Sequence, residues 1–578
     1  MVIEESEGNY WNCVEVRIGV EQARRQLFAA LDSLEGTKSI VWDKSLMRKV
    51  QQFASPQLFK QHDVAEHLAL NNYKSVQSAH VVFFLSPTLN ALDSLCAYID
   101  KASNPSTVLY QVFFIPEAWY VIREKLKERE NGHYWKRLES VKEIPLVWFP
   151  RDGECLSLSQ PELPSRLLLN GDWTYLHRCA VALFNLLQIQ ASPSIPIYSR
   201  GQWAEDVARM THKLRSNSEQ ALQNSSQSSL QFNRIVLIDR WLDPLSPMLT
   251  QLTYAGLLDE LFEIGINANL SVSKCDFEEN AQLDPFDQID IQLDEELFHR
   301  LKHVHINAMG IELSKILQEI REDENYDKEK MSVAEYQLLV KKMPRILKRK
   351  KSAGQHMRLA EMSRSELYQK LSDIVKIQKE LLFSSNSDKM VPFIEELIIE
   401  DGNLNDVLRL IAVHSLTAGG LKTTVLQQYR RMIWQSYGIE ALNKFMKMQK
   451  MGLVREKGGS GKMACEHAPL LFQQMNKQYD LLPEHVNEMT PNDTAYAYSG
   501  YASLLVRIIE EGIKLRWAAW NKIGEEIFPN DNSQVALFVV GGLTRAEIAS
   551  LRLLPQISLI LTSSVTTGAK LLENITDI

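Results

Sequence analysis

Cysteine is scarce in this chain, with six in 578 residues. Cys13, Cys96, Cys155, Cys179, Cys275 and Cys465 lie far apart and form no Cys-x-x-Cys pair. That spacing offers neither a disulfide framework nor a zinc site. No apolar run reaches the roughly 18 residues of a membrane-spanning helix. The opening MVIEESEGNYW is acidic rather than basic-then-apolar, so no signal peptide is expected. Positive charge is not in excess: Lys+Arg 64 against Asp+Glu 72 leaves −8. A nucleic-acid-binding protein usually needs a strongly basic face, so that class is set aside. Catalytic signatures are missing too, with no Gly-x-Ser-x-Gly elbow and no His-Glu-x-x-His. The chain reads as cytosolic, with any membrane work done peripherally through bound partners.

Apolar residues make up 45% and charged residues 24%, ordinary values for a globular protein. The length predicts roughly three or four domains. In the first third, Val81–Leu85, Val108–Ile115 and Ile144–Phe149 are short runs rich in Val, Ile and Phe, each followed by Pro87, Pro116 or Pro150. With a helical pattern over Ala118–Glu130 between them, they predict parallel strands with helices outside. Residues 216–231 are rich in Ser and Gln and read as a linker. Residues 276–296 carry nine acidic side chains and no basic one, which predicts a surface loop. Residues 297–383 look helical. Ile306, Met309, Leu313, Leu317 and Ile320 make one apolar stripe. Ser332 with Glu335, and Ser363 with Glu366, are capping-box patterns. After the second, Leu367, Leu371, Ile374 and Leu381 face one way. Pro344 should start or kink a helix. Residues 404–454 are again helical, and Gly452 marks a turn. Strands then return at Val535–Val540 and Ile557–Leu561, with a helix over Arg545–Leu553. There is no internal repeat. The order is α/β, helical insert, α/β, and the 535–540 strand is expected beside the one at 235–238.

Most candidate sites fail on spacing. EKGGSGKM at 456–463 has Glu456 where a phosphate loop needs its first Gly, and Met463 replaces the magnesium-binding hydroxyl. Gly541-Gly542-Leu543-Thr544 sits between strand and helix, where backbone N–H groups can hold an anion; a tight turn is the simpler reading. His299, His303 and His305 lack a completing carboxylate pattern and read as helix-surface histidines. The basic cluster Lys341, Lys342, Arg345, Lys348, Arg349, Lys350 and Lys351 surrounds Met343, Ile346 and Leu347. It is a solvated helix face, a nuclear-localisation or lipid-contact patch, or a partner-binding surface.

The most informative stretch is 234–260. Ile235–Ile238 suits a buried strand, and Asp239, Arg240 and Asp243 follow at its carboxyl end, where ligands gather in open α/β sheets. Pro244 and Pro247 break regular structure, and a helical pattern begins at Thr250. The charges form either a structural corner of caps and pairs or a catalytic Asp–Arg site. The wording Leu-Ile-Asp-Arg, then Asp243-Pro244, then Gln251-Leu252-Thr253-Tyr254 and Gly256-Leu257-Leu258-Asp259-Glu260, resembles the signature of the Sec-one/Munc-eighteen (SM) family, which regulates SNARE-driven membrane fusion. Three further blocks are similar to the same family: Lys342-x-Pro344 with His356, Ala360 and Glu361; Tyr498-Ser499-Gly500-Tyr501, with Ser503 where the family often has Pro; and Gly541-Gly542-x-Thr544-x-x-Glu547-Ile548.

The resemblance implies an SM-type arch: two parallel α/β domains, with a mostly α-helical third domain inserted into the second. The expected bounds are 1–130 for domain 1, 131–265 with 490–578 for domain 2, 266–395 for helical domain 3a and 396–489 for domain 3b. It implies a non-enzymatic chain that needs no cofactor and templates SNARE assembly at the late endosome, lysosome or vacuole. It also implies membership of a class C tethering complex, HOPS or CORVET, in vacuolar protein sorting and autophagy. A separate two-subunit complex of the branch's B paralogue is an alternative, as is a nucleotide hydrolase using Asp239 and Arg240. Implied partners are Qa syntaxin-type and R-type SNAREs, facing a hairpin that carries Lys341, Lys342, Met343, Pro344, Arg345, Lys348 and His356. The class C scaffold subunit is implied to meet Asp259, Arg430 and Tyr437. Asp239, Arg240, Asp243, Pro244 and Tyr254 remain as structural signature.

Overall fold

The computed structural model describes residues 14–102, 108–188, 195–218, 232–266, 268–278, 287–293, 296–324, 333–384, 386–458, 471–524 and 534–575. They fall into two compact units, Trp11–Leu158 and Ser159–Ile578.

In the first unit, β1 (Lys38–Trp42), β2 (Val64–Ala69), β3 (His80–Leu85), β4 (Leu109–Phe114) and β5 (Leu138–Glu143) form a parallel sheet ordered β2-β1-β3-β4-β5. The central β3 is buried at every position, as a strand covered on both faces must be. Thr88 caps the following Leu89–Lys101 helix through the Ala91 N–H, and that helix presses Leu92, Leu95 and Ile99 into the core. The strand expected at Ile144–Phe149 is not there. Pro145 has no N–H to give a ladder, and the charged Leu-Glu-Ser-Val-Lys-Glu of β5 makes the edge instead. The sheet therefore extends past residue 130. A short antiparallel pair, β6 (Phe149–Arg151) and β7 (Cys155–Ser157), follows in this unit.

In the second unit, β8 (Ile197–Arg200) and β9 (Arg234–Asp239) come first. Then β10 (Asn269–Ser273) pairs antiparallel with β11 (Gln288–Gln292). A long helical stretch leads to β12 (Asn521–Ile523), β13 (Val535–Val540) and β14 (Ile557–Thr562). The large sheet runs β12-β8-β9-β13-β14, with β13 parallel to β9 in the register Ile235↔Ala536 to Asp239↔Val540. The two strands separated by the whole insert are thus neighbours, and both are wholly buried.

Several local expectations give way to packing. The acidic 276–296 segment contains β11 rather than loop throughout; residues 279–286 and 294–295 lie outside the description. The helix after Pro247 starts at Tyr254, not Thr250, because the chain before it is tied to another segment: the Leu252 carbonyl accepts Ile306 N, and Thr253 pairs antiparallel with His305. Ser363 caps nothing: it lies inside the Val333–Glu366 helix, and its hydroxyl bonds back to Leu359 O. Pro344 lies within that same helix, whose backbone runs unbroken, so it does not start a helix. The missing Pro N–H leaves the Val340 carbonyl without its helical donor. The Gln202–Ser218 helix reaches into the expected linker, and 219–231 lie outside the description, as do Ser332 and 459–463 of the glycine-rich loop.

Candidate functional site

The charges after β9 form a closed knot. Asp239 turns back to accept the N–H groups of Trp203 (3.0 Å) and Ala204 (2.6 Å), capping the Gln202–Ser218 helix. Gly201 must be glycine here: its φ is +98°, and a Cβ would sit 2.4 Å from Asp239 Oδ2. Arg240 donates through Nη1 to both oxygens of Glu547, at 2.7 and 2.6 Å, and its Nη2 lies 3.2 Å from Asp243 Oδ2. Both partners have no exposed side-chain surface. Asp243 also accepts from Ser246 N, Ser503 Oγ and Leu505 N. Pro244 is buried. Such a bidentate, desolvated pair fixes geometry well and resists separation.

Of the two readings of this corner, the structure supports caps and pairs, since Arg240 and Asp243 have no surface at which a substrate can arrive. The glycine turn at 541–542 is also answered. The anion at that helix start is the chain's own Glu547, which accepts Thr544 N at 3.0 Å and completes a capping box. Ser503, in the family's Pro position, donates to this knot.

Burial pushes the Asp239 carboxyl up to about 8, against the two N–H bonds that favour its charge. The folded state then holds a proton that the unfolded chain releases near the ordinary carboxylate value. Stability from this group is full below that value and falls as pH rises towards 8. Asp239→Asn should flatten the decline in melting temperature between pH 5 and 8; an unchanged slope would count against it.

The long Val333–Glu366 helix has two unlike faces. Lys342, Met343, Pro344, Arg345, Leu347, Lys348, Lys350 and Lys351 are exposed. Ile346, Ala353, His356, Leu359 and Ala360 are buried. Ion pairs hold it against the Met309–Glu324 helix: Arg349 reaches Glu319 and Asp323, and Arg300 also grips Glu319. Arg345 lies 3.3 Å from Glu296. The side chain of Lys341 lies outside the description. His356 is corrected: it is 1% exposed, stacks on Phe298 and pairs with the hydroxyl of buried Tyr254 at 2.9 Å. It anchors the helix from inside and offers almost no surface.

The three expected scaffold contacts separate as well. Asp259 is buried, accepting Arg545 Nε at 3.1 Å, Lys570 Nζ at 2.8 Å and Ile264 N. Burial opposes its charge, yet Lys570 and Arg545 hold the carboxyl at about 2. It is an internal anchor. Arg430 is exposed, and Tyr437 donates its OH to Gly402 O at 2.6 Å. Between Thr423 and Met451 the helix breaks at Gly438, with φ +82° and ψ −169°. Arg430 then meets Met446 Sδ at 3.6 Å, which about 24 Å of straight helix would forbid. The halves fold together. Trp434, Ile439 and Met446 stay exposed, as do Phe393 and Ile399 on the Val391–Ile399 helix, which packs against the Thr423–Met451 stretch. Sequence reading missed this patch because its apolar residues fall on two helices and across a break.

The histidines are not surface groups on one helix. His299 is buried and accepts from Lys302 Nζ; His303 lies beyond that helix's end; His305 is buried against Ser499 Oγ. Among the described residues no cluster is placed to hold a metal, and no helix is long and apolar enough to cross a membrane.

The Sec1 family model matches residues 38–574. The chain belongs to the Sec1, or SM, family. It is 53% identical to vacuolar protein sorting-associated protein 33A of Caenorhabditis elegans, over 99% of this chain and 98% of that one. The corresponding 33A of Rattus norvegicus is 28% identical over 97% of each, and human 33B is 24% identical over 96% of each. Two solved structures share the fold across nearly the full length. The SM protein Vps45 in complex with the Qa SNARE Tlg2 has TM-score 0.65 at 14% identity, covering 97% of each chain. The Unc18–syntaxin 1 complex of Monosiga brevicollis has TM-score 0.64 at 15% identity, covering 98% and 99%. The signature resemblance read at 234–260 is therefore sound, as is the expected combination of parallel α/β sheets with a large helical part.

Proposed function

We propose that this chain binds SNARE proteins and templates their assembly for fusion at the late endosome, lysosome or vacuole. SNARE segments are disordered alone, and ordering them costs roughly 1–2 kcal/mol per residue in backbone entropy. A rigid surface that holds two such helices in register removes part of the nucleation cost without making or breaking a covalent bond. The observation that carries the reading is the exposed face Lys342, Met343, Arg345, Leu347 and Lys348, backed by the buried His356 side of one long helix. Apolar side chains ringed by long cationic stems suit an amphipathic acidic helix. Family membership and two SM relatives solved with syntaxin-type partners support it. A pull-down with cognate Qa and R SNAREs tests it. Retention of both at above-background levels is expected, and failure with every endolysosomal set would sink the reading.

The second partner in this proposal is the class C scaffold subunit of HOPS or CORVET, seated on Trp434, Ile439 and Met446 with Arg430 and Tyr437 at the edge. Exposed apolar groups gathered like this mark protein interfaces. The greater identity to 33A than to 33B favours this complex over the B-paralogue pair. Trp434→Asp should abolish co-elution of co-expressed scaffold subunit on size exclusion while leaving SNARE capture intact. Co-elution unchanged by that substitution would remove the patch from the model.

A further inference from the structure

A cleft of about 480 Å³ opens beside the Tyr254–Phe262 helix and β10, lined by Glu263, Ser271, Ser273, Asp276, Lys370 and Glu573 among others. Among the described residues, β10 has only β11 as a strand partner. Lys274 N bonds Asp287 O, and Leu293 N bonds Ala268 O, so the even-numbered residues of β10 face β11. In an antiparallel ladder the alternate residues point their N–H and C=O groups away. Ser271 and Ser273 therefore turn their N–H groups away from β11, with no strand among the described residues on that side, and both line the cleft. Its charge is one-sided. Lys570 is committed to buried Asp259, and Lys370 lies 2.6 Å from Glu366. Lys570 also lies 3.6 Å from exposed Glu263, so one cation serves two carboxylates, and Asp276 and Glu573 add to the acidic excess.

We propose that this cleft takes an extended, lysine- or arginine-bearing segment of a partner protein, added to β10 as a third strand. The edge supplies main-chain bonds and the carboxylates select basic side chains. Three residues of a partner strand, at about 3.4 Å each, span Ser271 to Ser273. A second copy of the chain fits poorly, because edge-to-edge pairing would bring the two acidic rims together. An anion fits poorly, because the two lysines are engaged. The site meets the long helix only at Met362 and Glu366 in its last turns, more than ten residues from the exposed face at 342–351, so its failure and that of the SNARE reading are distinguishable.

The probe is a fluorescent, amidated hexapeptide alternating Val and Lys, titrated by anisotropy into the full chain, with a Val–Glu peptide as control. Saturable binding of the Lys peptide alone is expected, weakening as salt rises. Ser271→Pro should remove it, since that residue's N–H points away from β11 and the ladder bonds survive. Asp276→Lys should weaken it about tenfold. In the unaltered chain, the peptide should slow hydrogen exchange at the Ser271 and Ser273 amides, and Ser271→Pro should leave SNARE capture unchanged. No binding, equal binding of both peptides, or binding without slowed exchange at those two amides overturns the proposal.

Discussion

Arg240→Ala is expected to destabilise the second unit by about 3–5 kcal/mol, the usual cost of stranding a buried charge. The substitution leaves the Glu547 carboxylate without its bidentate partner and Asp243 without its cation, in a place with no exposed surface. Residual donors, Ser503 Oγ and Thr544 N, cannot neutralise a carboxylate. The loss should appear as a large fall in melting temperature or as insoluble expression. Replacing the pair together, Arg240→Met with Glu547→Leu, should recover part of the loss, because Glu547 no longer stands uncompensated and only Asp243 lacks its cation. If Arg240→Ala melted with the unaltered protein, the corner would be ornament rather than clamp. If the double variant were worse than the single one, the specific shape of the pair would matter more than its charge.

Charge reversal on the long helix should remove SNARE binding while the protein stays folded. In Lys342→Glu, Arg345→Glu, Lys348→Glu, all three side chains are exposed, and the Arg345–Glu296 pair that is lost is a solvent-screened one. Melting temperature should therefore hardly move. Like charges brought together at an interface cost several kcal/mol, so affinity for an acidic SNARE helix should drop by a hundredfold or more. Met343→Ser with Leu347→Ser should weaken binding with little change in its salt dependence, separating the apolar from the ionic part. Binding that survives the triple reversal would falsify the assignment of this face. His356→Ala should instead lower stability, since it removes a buried ring stacked on Phe298 and bonded to Tyr254.

Much of the fold is legible where local chemistry and tertiary burial agree. The runs at 81–85, 235–238, 535–540 and 557–561 are β-branched, apolar and bounded by breakers, and each lies in a strand. Legibility fails where a strand is an edge. β5 and β11 carry charge on their open sides, so neither shows the apolar run of a buried strand. It fails again where a backbone acceptor is spent at long range, as with the Leu252 carbonyl on Ile306 N, which delays a helix the local pattern starts earlier. Pro344, expected to start or kink a helix, starts none and lies inside one. Site residues follow the same division: Lys342, Arg345 and Lys348 keep the exposed place their charge suggests, whereas His356 and Asp259 do not.

Reading residues in order settles the family and the alternation of α/β and helical parts. Both are written in short contiguous motifs and in periodicity, which are properties of neighbours along the chain. Folding in three dimensions settles which charges are hidden. Arg240 finds Glu547 across 307 positions, and Asp259 finds Lys570 across 311. No window of the sequence holds both members of either pair. A carboxylate is buried only when its cation arrives with it, so whether Asp259 is an anchor or a contact is decided by the sheet and helices that bring Arg545 and Lys570 to its side.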